Sequence, residues 1–343
     1  MRRFIPVVCA IALVAFGVAD AQSVVAPNAN VNAVGTGQLN SLMRQATRTV
    51  QQGIHASELQ ALPPGAVIVG LSYRIYRSAT TTWPTTNANW KNYEVTLAEA
   101  ALPTAQWTST FATNMKNPVL VRQGPLTVPK GTYAVTTSKP NPFDTFYLAF
   151  QKPYVYKGGD LVTFITHDGN DTASTCFFDG ITATGSPPGL TMYATTFRAT
   201  TASVTSTTFV ITRIHYGFGP AGCTGKNGSL NLILSNNLAA PTPPPGTINI
   251  AVTNGVPNEA GAMIVAVTGA PAPLPLPGGC NLLILPPFLA VIPFIVDANG
   301  RYDVNLALPA VTLGTVAIQA YATDGSASAG YVVTNGINLT VKT

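Results

Sequence analysis

Short runs of β-branched and aromatic residues recur along this chain, and glycine, proline or asparagine ends each one before a helical period can develop. Ala66–Tyr76 (AVIVGLSYRIY) is the clearest. Asn92–Leu97, Pro118–Arg122, Thr132–Thr136, Thr145–Gln151, Leu161–Thr166 and Thr207–His215 read the same way. Turn formers separate them, among them Asn87-Ala88-Asn89, Pro140-Asn141-Pro142, Lys157-Gly158-Gly159-Asp160 and Gly185-Ser186-Pro187-Pro188-Gly189. β-Branched and aromatic side chains fit a pleated, half-buried surface, and closely spaced turns favour hairpins over crossover helices. The pattern predicts an all-β chain with a sandwich of the jelly-roll kind over residues 61–216.

A second set of runs follows Gly217–Cys223, a Gly/Pro stretch that holds no regular element. It comprises Thr247–Thr253, Ala262–Val267, Asn281–Leu285, Tyr302–Leu308, Thr315–Thr323 and Asn338–Val341. Their number and spacing predict an immunoglobulin-like β-sandwich over 217–343. Ala239–Pro245 (AAPTPPP) reads as a stiff extended segment, because consecutive prolines hold an extended backbone. Leu282–Val296 is apolar enough to resemble a membrane span. It is too short for the roughly 20 residues a helix needs, and Pro286, Pro287 and Pro293 interrupt it. It is read as two core strands joined by a proline turn. Residues 22–60 carry few strand signals and are read as an irregular lead, with a short helix around Leu42–Val50.

The first 21 residues have the layout of a secretory signal peptide. Arg2 and Arg3 precede an apolar run from Phe4 to Val18, and Ala19-Asp20-Ala21 is a small-x-small cleavage site. Cys9 sits in a poor lipoprotein context. The destination is the extracellular space or cell surface, with the periplasm as the alternative. Charged residues make up only 9% of the chain, against roughly 25% in an ordinary soluble domain. The formal net charge is +5, and removing Arg2, Arg3 and Asp20 leaves +4. The basic residues are scattered, which excludes nucleic acid as a partner, since that needs a concentrated basic face. A weak attraction to acidic polymers is the most this charge supports.

Motifs for catalysis are absent: there is no Gly-x-Ser-x-Gly elbow and no His-Glu-x-x-His zinc pair. The best polar cluster is His167-Asp168-Gly169-Asn170-Asp171. Asp168, Asn170 and Asp171 offer oxygen ligands for calcium, although the segment lacks the full calcium-loop pattern and its residues are ordinary turn formers. The same cluster is the place to look for a hydrolytic site. Trp83 and Trp90 flank a Thr/Asn-rich turn, where exposed rings would stack on sugar faces; as core residues they would bind nothing. Three cysteines remain after the leader, Cys176, Cys223 and Cys280, and an oxidising compartment favours pairing two of them in any of three ways.

Residues near the C-terminal half carry a resemblance. Gly222-Cys223-Thr224-Gly225, Gly279-Cys280-Asn281-Leu282, Asp297-Ala298-Asn299-Gly300 and Thr334-Asn335-Gly336-Ile337 fall in an order that resembles the C-terminal module of uncharacterised secreted proteins of planctomycetes and other environmental bacteria. The resemblance covers about residues 217–343. It implies export and a β-rich module, and no activity. It also implies a Cys223–Cys280 disulfide with Cys176 free, the competing pair being Cys176–Cys223.

Together these features predict a non-catalytic exported protein with a structural, adhesion or assembly role and either itself or an extracellular polysaccharide as partner. The alternatives are carbohydrate binding through Trp83 and Trp90, and a secreted hydrolase. Mass spectrometry of the exported chain is expected to find Gln22 at its N-terminus; retention of Met1 or of the apolar run would contradict the leader assignment.

Overall fold

Residues 22–60 do not form an irregular lead. Arg48–Ile54 is a strand in the interior of a six-stranded sheet, and every one of its residues is buried. The computed structural model describes residues 18–19, 23–143, 146–182, 189–206, 208–219, 223–234, 247–307 and 314–342. The Ala239–Pro245 segment and the Gly185–Pro188 part of one turn lie outside them. The chain is all-β. The helical elements among the described residues are 3₁₀ turns of three or four residues.

In chain order the strands begin with β1 (Val18–Ala19), which pairs with the last strand of the second half. The first half then has β2 (Ser23–Ala26), β3 (Gly37–Leu39), β4 (Arg48–Ile54), β5 (Val67–Tyr73), β6 (Ala88–Trp90), β7 (Tyr93–Ala100) and β8 (Met115–Arg122). They continue with β9 (Leu126–Val128), β10 (Tyr147–Val155), β11 (Leu161–His167), β12 (Phe178–Thr182), β13 (Gly189–Ala194), β14 (Val204–Ser206), β15 (Thr208–Val210) and β16 (Thr212–Gly217). The second half has β17 (Asn231–Leu234), β18 (Thr247–Thr253), β19 (Ala260–Pro275), β20 (Asn281–Ile295), β21 (Tyr302–Ala307), β22 (Gly314–Thr323), β23 (Tyr331–Val333) and β24 (Ile337–Lys342).

In the first half an antiparallel sheet ordered β14-β13-β4-β11-β7-β8 faces two smaller sheets, β10-β5-β16-β2 and β15-β12-β3. Their inner side chains make one core. Val50, Ile54, Leu97 and Ile165 come from the large sheet, and Leu71, Phe150, Phe178 and Ile214 from the opposite layer. The sequence pattern around β4 hides this role, because Thr49, Gln51 and Gln52 are polar. Each is buried with a partner. Gln52 donates to the Val210 carbonyl at 3.0 Å across the two layers, and Gln51 donates to the Phe111 carbonyl at 3.0 Å on the outer face. Leu42 and Met43, expected in a helix, are core residues of the turn that leads into β4. Thr132–Thr136 is not a strand either; Tyr133 alone bridges to Trp83, and Asn141 ties down Thr136.

In the second half the sheet β1-β24-β22-β19-β20, with β23 on β22, faces β17-β18-β21. Their core includes Leu232, Ile250, Met263, Ile318 and Leu339, with Cys223 and Cys280 at disulfide distance and Cα atoms 4.6 Å apart. The stretch expected to be two core strands is instead the single edge strand β20. Phe288 is 44% exposed and Ile295 67%. An edge position is where proline is tolerated, because the lost amide faces no partner. No helix among the described residues is long and apolar enough to cross a membrane.

The two halves meet along β5. Its inner residues Ile68 and Leu71 enter the first core, while Val67 and Val69 on its other face pack with Tyr147, Ile233 and Ala251. Polar bonds frame this seam: the Phe150 carbonyl accepts from Asn231 and Asn254, both at 2.7 Å, and the Gln151 carbonyl accepts from the Ser229 amide at 2.7 Å.

A buried ion pair anchors the first half. Arg74 Nε donates to Asp179 Oδ2 at 2.9 Å with both side chains almost fully excluded from water. Removing one member of such a pair leaves an uncompensated buried charge, at a cost of about 3–5 kcal/mol. Asp179→Ala and Arg74→Met are each expected to lose about that much stability in urea denaturation. The double variant Arg74→Met/Asp179→Ala is expected to lose clearly less than their sum; strict additivity would show that the two groups do not act as a pair.

Candidate functional site

The residues singled out from sequence are brought together, but as a structural cluster. Trp83 and Trp90 are 4% and 1% exposed, with ring centroids 6.4 Å apart. Trp90 meets Tyr93 edge-on at 5.7 Å, and Tyr93 stacks on His167 at 5.5 Å with a 3° interplanar angle. Trp83 donates through Nε1 to the Ser174 carbonyl at 3.2 Å. A ring that stacks on a sugar must present a face to solvent, so the expectation of sugar binding through Trp83 and Trp90 is corrected. The tryptophans sit inward because β6 pairs with β9 and Trp90 bridges to Asn170, which folds the turn over the core.

The oxygens of Asp168, Asn170 and Asp171, expected as calcium ligands, accept hydrogen bonds from neighbouring groups in the structure. Asp171 accepts from the Asn89 amide and side chain, both at 2.9 Å. Asp168 accepts from the Asn92 amide at 3.2 Å and side chain at 2.7 Å. Asn170 Oδ1 accepts from the Thr172 amide and hydroxyl. Each Asp–Asn clasp therefore docks loop 168–171 onto 89–92, and the side-chain bonds to Asn89 hold the Asp171 carboxyl below its ordinary value. Among the described residues no three His, Cys, Asp or Glu side chains are grouped to hold a metal.

His167 is fully buried. Its Nε2–H donates to the Ser41 carbonyl at 3.1 Å, and Nδ1 accepts from the Gly169 amide at 3.2 Å. Those two bonds select one neutral tautomer and leave no nitrogen for a substrate. Burial pushes its pKa down to about 4. His215 is buried against Ser72, at 2.8 Å, and its pKa is driven well below the ordinary value by burial and then by Arg213 and Arg301. The Cys176 thiol is buried and its pKa is raised well above the ordinary value by desolvation, which removes the thiolate a nucleophile needs.

The concave polar site lies elsewhere, at the meeting of the two halves. A cleft of about 760 Å³ runs between β7–β8 and the turns at 226–228, 254–255 and 299–300. A second cavity of about 460 Å³ adjoins it, and Arg122, Asn254, Asn299 and Gly300 line both. Asn254 adopts a left-handed conformation with φ of 65°, which turns its side chain back to Phe150 and Ser229. Gly228, with φ of 94°, lies so close to Gln151 that a Cβ would sit 2.5 Å from its carbonyl. The cleft wall is thus held by backbone contact between the halves.

Four cationic side chains line these cavities: Arg122, Arg198, Lys226 and Arg301. The carboxylate among the lining residues is Glu94, bound by Arg198 through two contacts, one of them Nε to Oε2 at 3.2 Å. Arg122 ends β8, and one guanidinium nitrogen donates to the Pro125 carbonyl at 2.6 Å. Its Nε is buried without a partner, and burial pulls its pKa down from the ordinary value. These residues lie far apart in sequence, so no local motif signals them: basic residues scattered along the chain meet here in space.

No protein-family model matches the chain, and no curated protein matches it. Among solved structures it is similar to a tetra-tandem repeat in the extending region of a large adhesion protein, at 10% identity and a TM-score of 0.21. That similarity covers 88% of this chain and 93% of that one.

The buried neutral histidine gives a signed pH dependence. The unfolded His167 titrates near the ordinary value of about 6.5, so between there and about 4 the unfolded chain binds more protons. Its contribution is fully present above pH 6.5 and falls by about 3 kcal/mol as pH drops to 4. His215 acts in the same direction. Urea midpoints measured from pH 7.5 to 4 are expected to fall, and His167→Gln is expected to flatten that fall; an unchanged slope would contradict the assignment.

Proposed function

We propose that this chain is a non-catalytic exported β-protein that works by holding on to another surface, in a structural, adhesion or assembly role. One observation carries this reading: the groups with chemical potential are committed to the fold. His167 has both nitrogens bonded inside the core, His215 and the Cys176 thiol are buried, and Asp168 and Asp171 clasp asparagines. The junction cleft holds Glu94 as its carboxylate among the described lining residues. Glycoside hydrolysis by the usual route needs two facing carboxylates, and no histidine lines the cleft to serve as a base. Export is supported by the leader pattern at residues 1–21 and by a cysteine pair at disulfide distance.

Incubating the purified chain with insoluble polysaccharides and with walls of the producing cells tests this directly. Retention on at least one surface, with no release of reducing sugar, acid or peptide, is expected. Turnover that rises with protein concentration would replace this reading with the hydrolase alternative.

A further inference from the structure

We propose that the cleft at the junction of the two sandwiches is a binding site for an acidic saccharide, a sugar chain bearing carboxylate or sulfate groups. The inference rests on the reading above, that the chain binds a surface without chemistry, and gives that binding a place and a ligand class.

Charge is the first observation. The whole chain has 18 Lys and Arg residues, and four of them line one continuous pair of cavities. Glu94 is the carboxylate lining them, and it is already held by Arg198. Arg301 is likewise ion-paired with Asp303. The uncompensated positive charge of the cleft therefore comes from Arg122 and Lys226, and partly enclosing walls strengthen that field over what an open surface gives.

Arg122 is the second. It sits where the two cavities join, with no carboxylate partner among the described residues and one nitrogen held by the Pro125 carbonyl. That bond fixes the plane of the fork. A fixed guanidinium plane suits a flat carboxylate or a sulfate face, which it grips through paired N–H donors. Lys226 stands on the opposite half of the chain, exposed, as a mobile point charge.

The third observation concerns the neutral groups. The side-chain amides of Gln123 and Asn299 line the cleft, are exposed, and make no hydrogen bond among the described residues. Amides with donors and acceptors both free are suited to sugar hydroxyls, whereas a simple inorganic anion would leave them unused. Asn92, Asn227 and Asn254, by contrast, are tied to Asp168, Gly255 and Phe150, so they shape the wall and do not compete for ligand. Two adjoining cavities that share Arg122 and carry separate cations and exposed amides offer more contacts than a point anion can use.

Calorimetry with oligogalacturonate, a dextran sulfate oligomer and neutral dextran tests this. Binding to at least one acidic oligomer and none to neutral dextran is expected, weakening at least tenfold in Arg122→Gln and threefold or more in Lys226→Glu. Lys226 is an exposed turn residue, so its variant keeps the fold even if Arg122→Gln does not; a melting curve on each variant checks that. Lys157→Glu makes the same charge change at an exposed turn outside the cleft and is expected to leave affinity unchanged. The stronger of the two acidic oligomers decides between carboxylate and sulfate. Equal binding of neutral dextran, equal losses in Lys157→Glu and Lys226→Glu, no binding of either acidic oligomer, or unchanged affinity in both cleft variants would each overturn the site. If the native chain stays on cell walls while these variants keep that retention, the surface-binding role survives and only the cleft assignment fails. If the native chain consumes the oligomer, the role itself fails.

Discussion

One buried ion pair organises the first half of the molecule. Arg74 reaches Asp179 at 2.9 Å and also donates to the carbonyls of Asn30 and Ala33. Asp179 in turn accepts from the Gly35 amide. Three backbone groups from the segment before β3 thus meet around two charges, which the end of β5 and the start of β12 supply. Phe143 covers the Arg74 guanidinium at 4.8 Å. A charge pair out of water survives only where further hydrogen bonds satisfy its remaining donors and lone pairs. Here those bonds are backbone groups of a loop with little apolar surface of its own. Residues 28–35 are therefore held in place by the polar centre, and Gly35 lies so close to Gly180 that no side chain would fit between them.

That anchoring has consequences for the junction. β5 follows from the same layer and is buried on both faces, the inner by the sandwich core and the outer by Ile233 and Ala251 of the second half. A strand covered on both sides cannot shift register without exposing one apolar row. The position of the second half is fixed by this seam and by the hydrogen bonds to Phe150 and Gln151. The cleft opens beside the seam, so its two walls are set by the packing of a rigid strand and not by flexible linkage. A ligand meeting both walls therefore encounters a site that is already formed, which lowers the ordering cost of binding.

Strand identity was readable where apolar residues alternate or run together. Thr247–Thr253 and the stretches at 67–73, 93–97 and 161–166 are strands, and the all-β class follows from them. Reading failed where burial is polar. β4 contains Thr49, Gln51 and Gln52, whose buried side chains each find a hydrogen-bond partner far along the chain, Gln52 across the two layers, and nothing local distinguishes such a strand from a loop. It failed again at Trp83 and Trp90, because a Thr/Asn-rich flank looks the same whether the turn stands away from the core or folds over it. The two Asp–Asn clasps decide for the second, and they join residues about 80 apart. The Cys223–Cys280 pair came from resemblance, since three cysteines alone leave three pairings open. The cleft cations could not be read at all, because they meet through tertiary packing only.

The sparse charge of this chain bears on how such a site would act. At physiological ionic strength, exposed charges farther apart than about 8 Å hardly feel one another. On a surface crowded with both signs, four cations would be lost in the background. Here charged residues are only 9% of the chain. A local excess of positive charge then stands out against a weakly charged chain. The same sparseness limits the affinity of any one contact: Arg198 is 63% exposed and already engaged with Glu94, and Lys226 is solvated. Arg122, partly withdrawn from water, is left as the cation with most to gain from an anion. Binding built this way would be weak per site and selective for charge, and repetition of the acidic group along a polymer would raise its avidity.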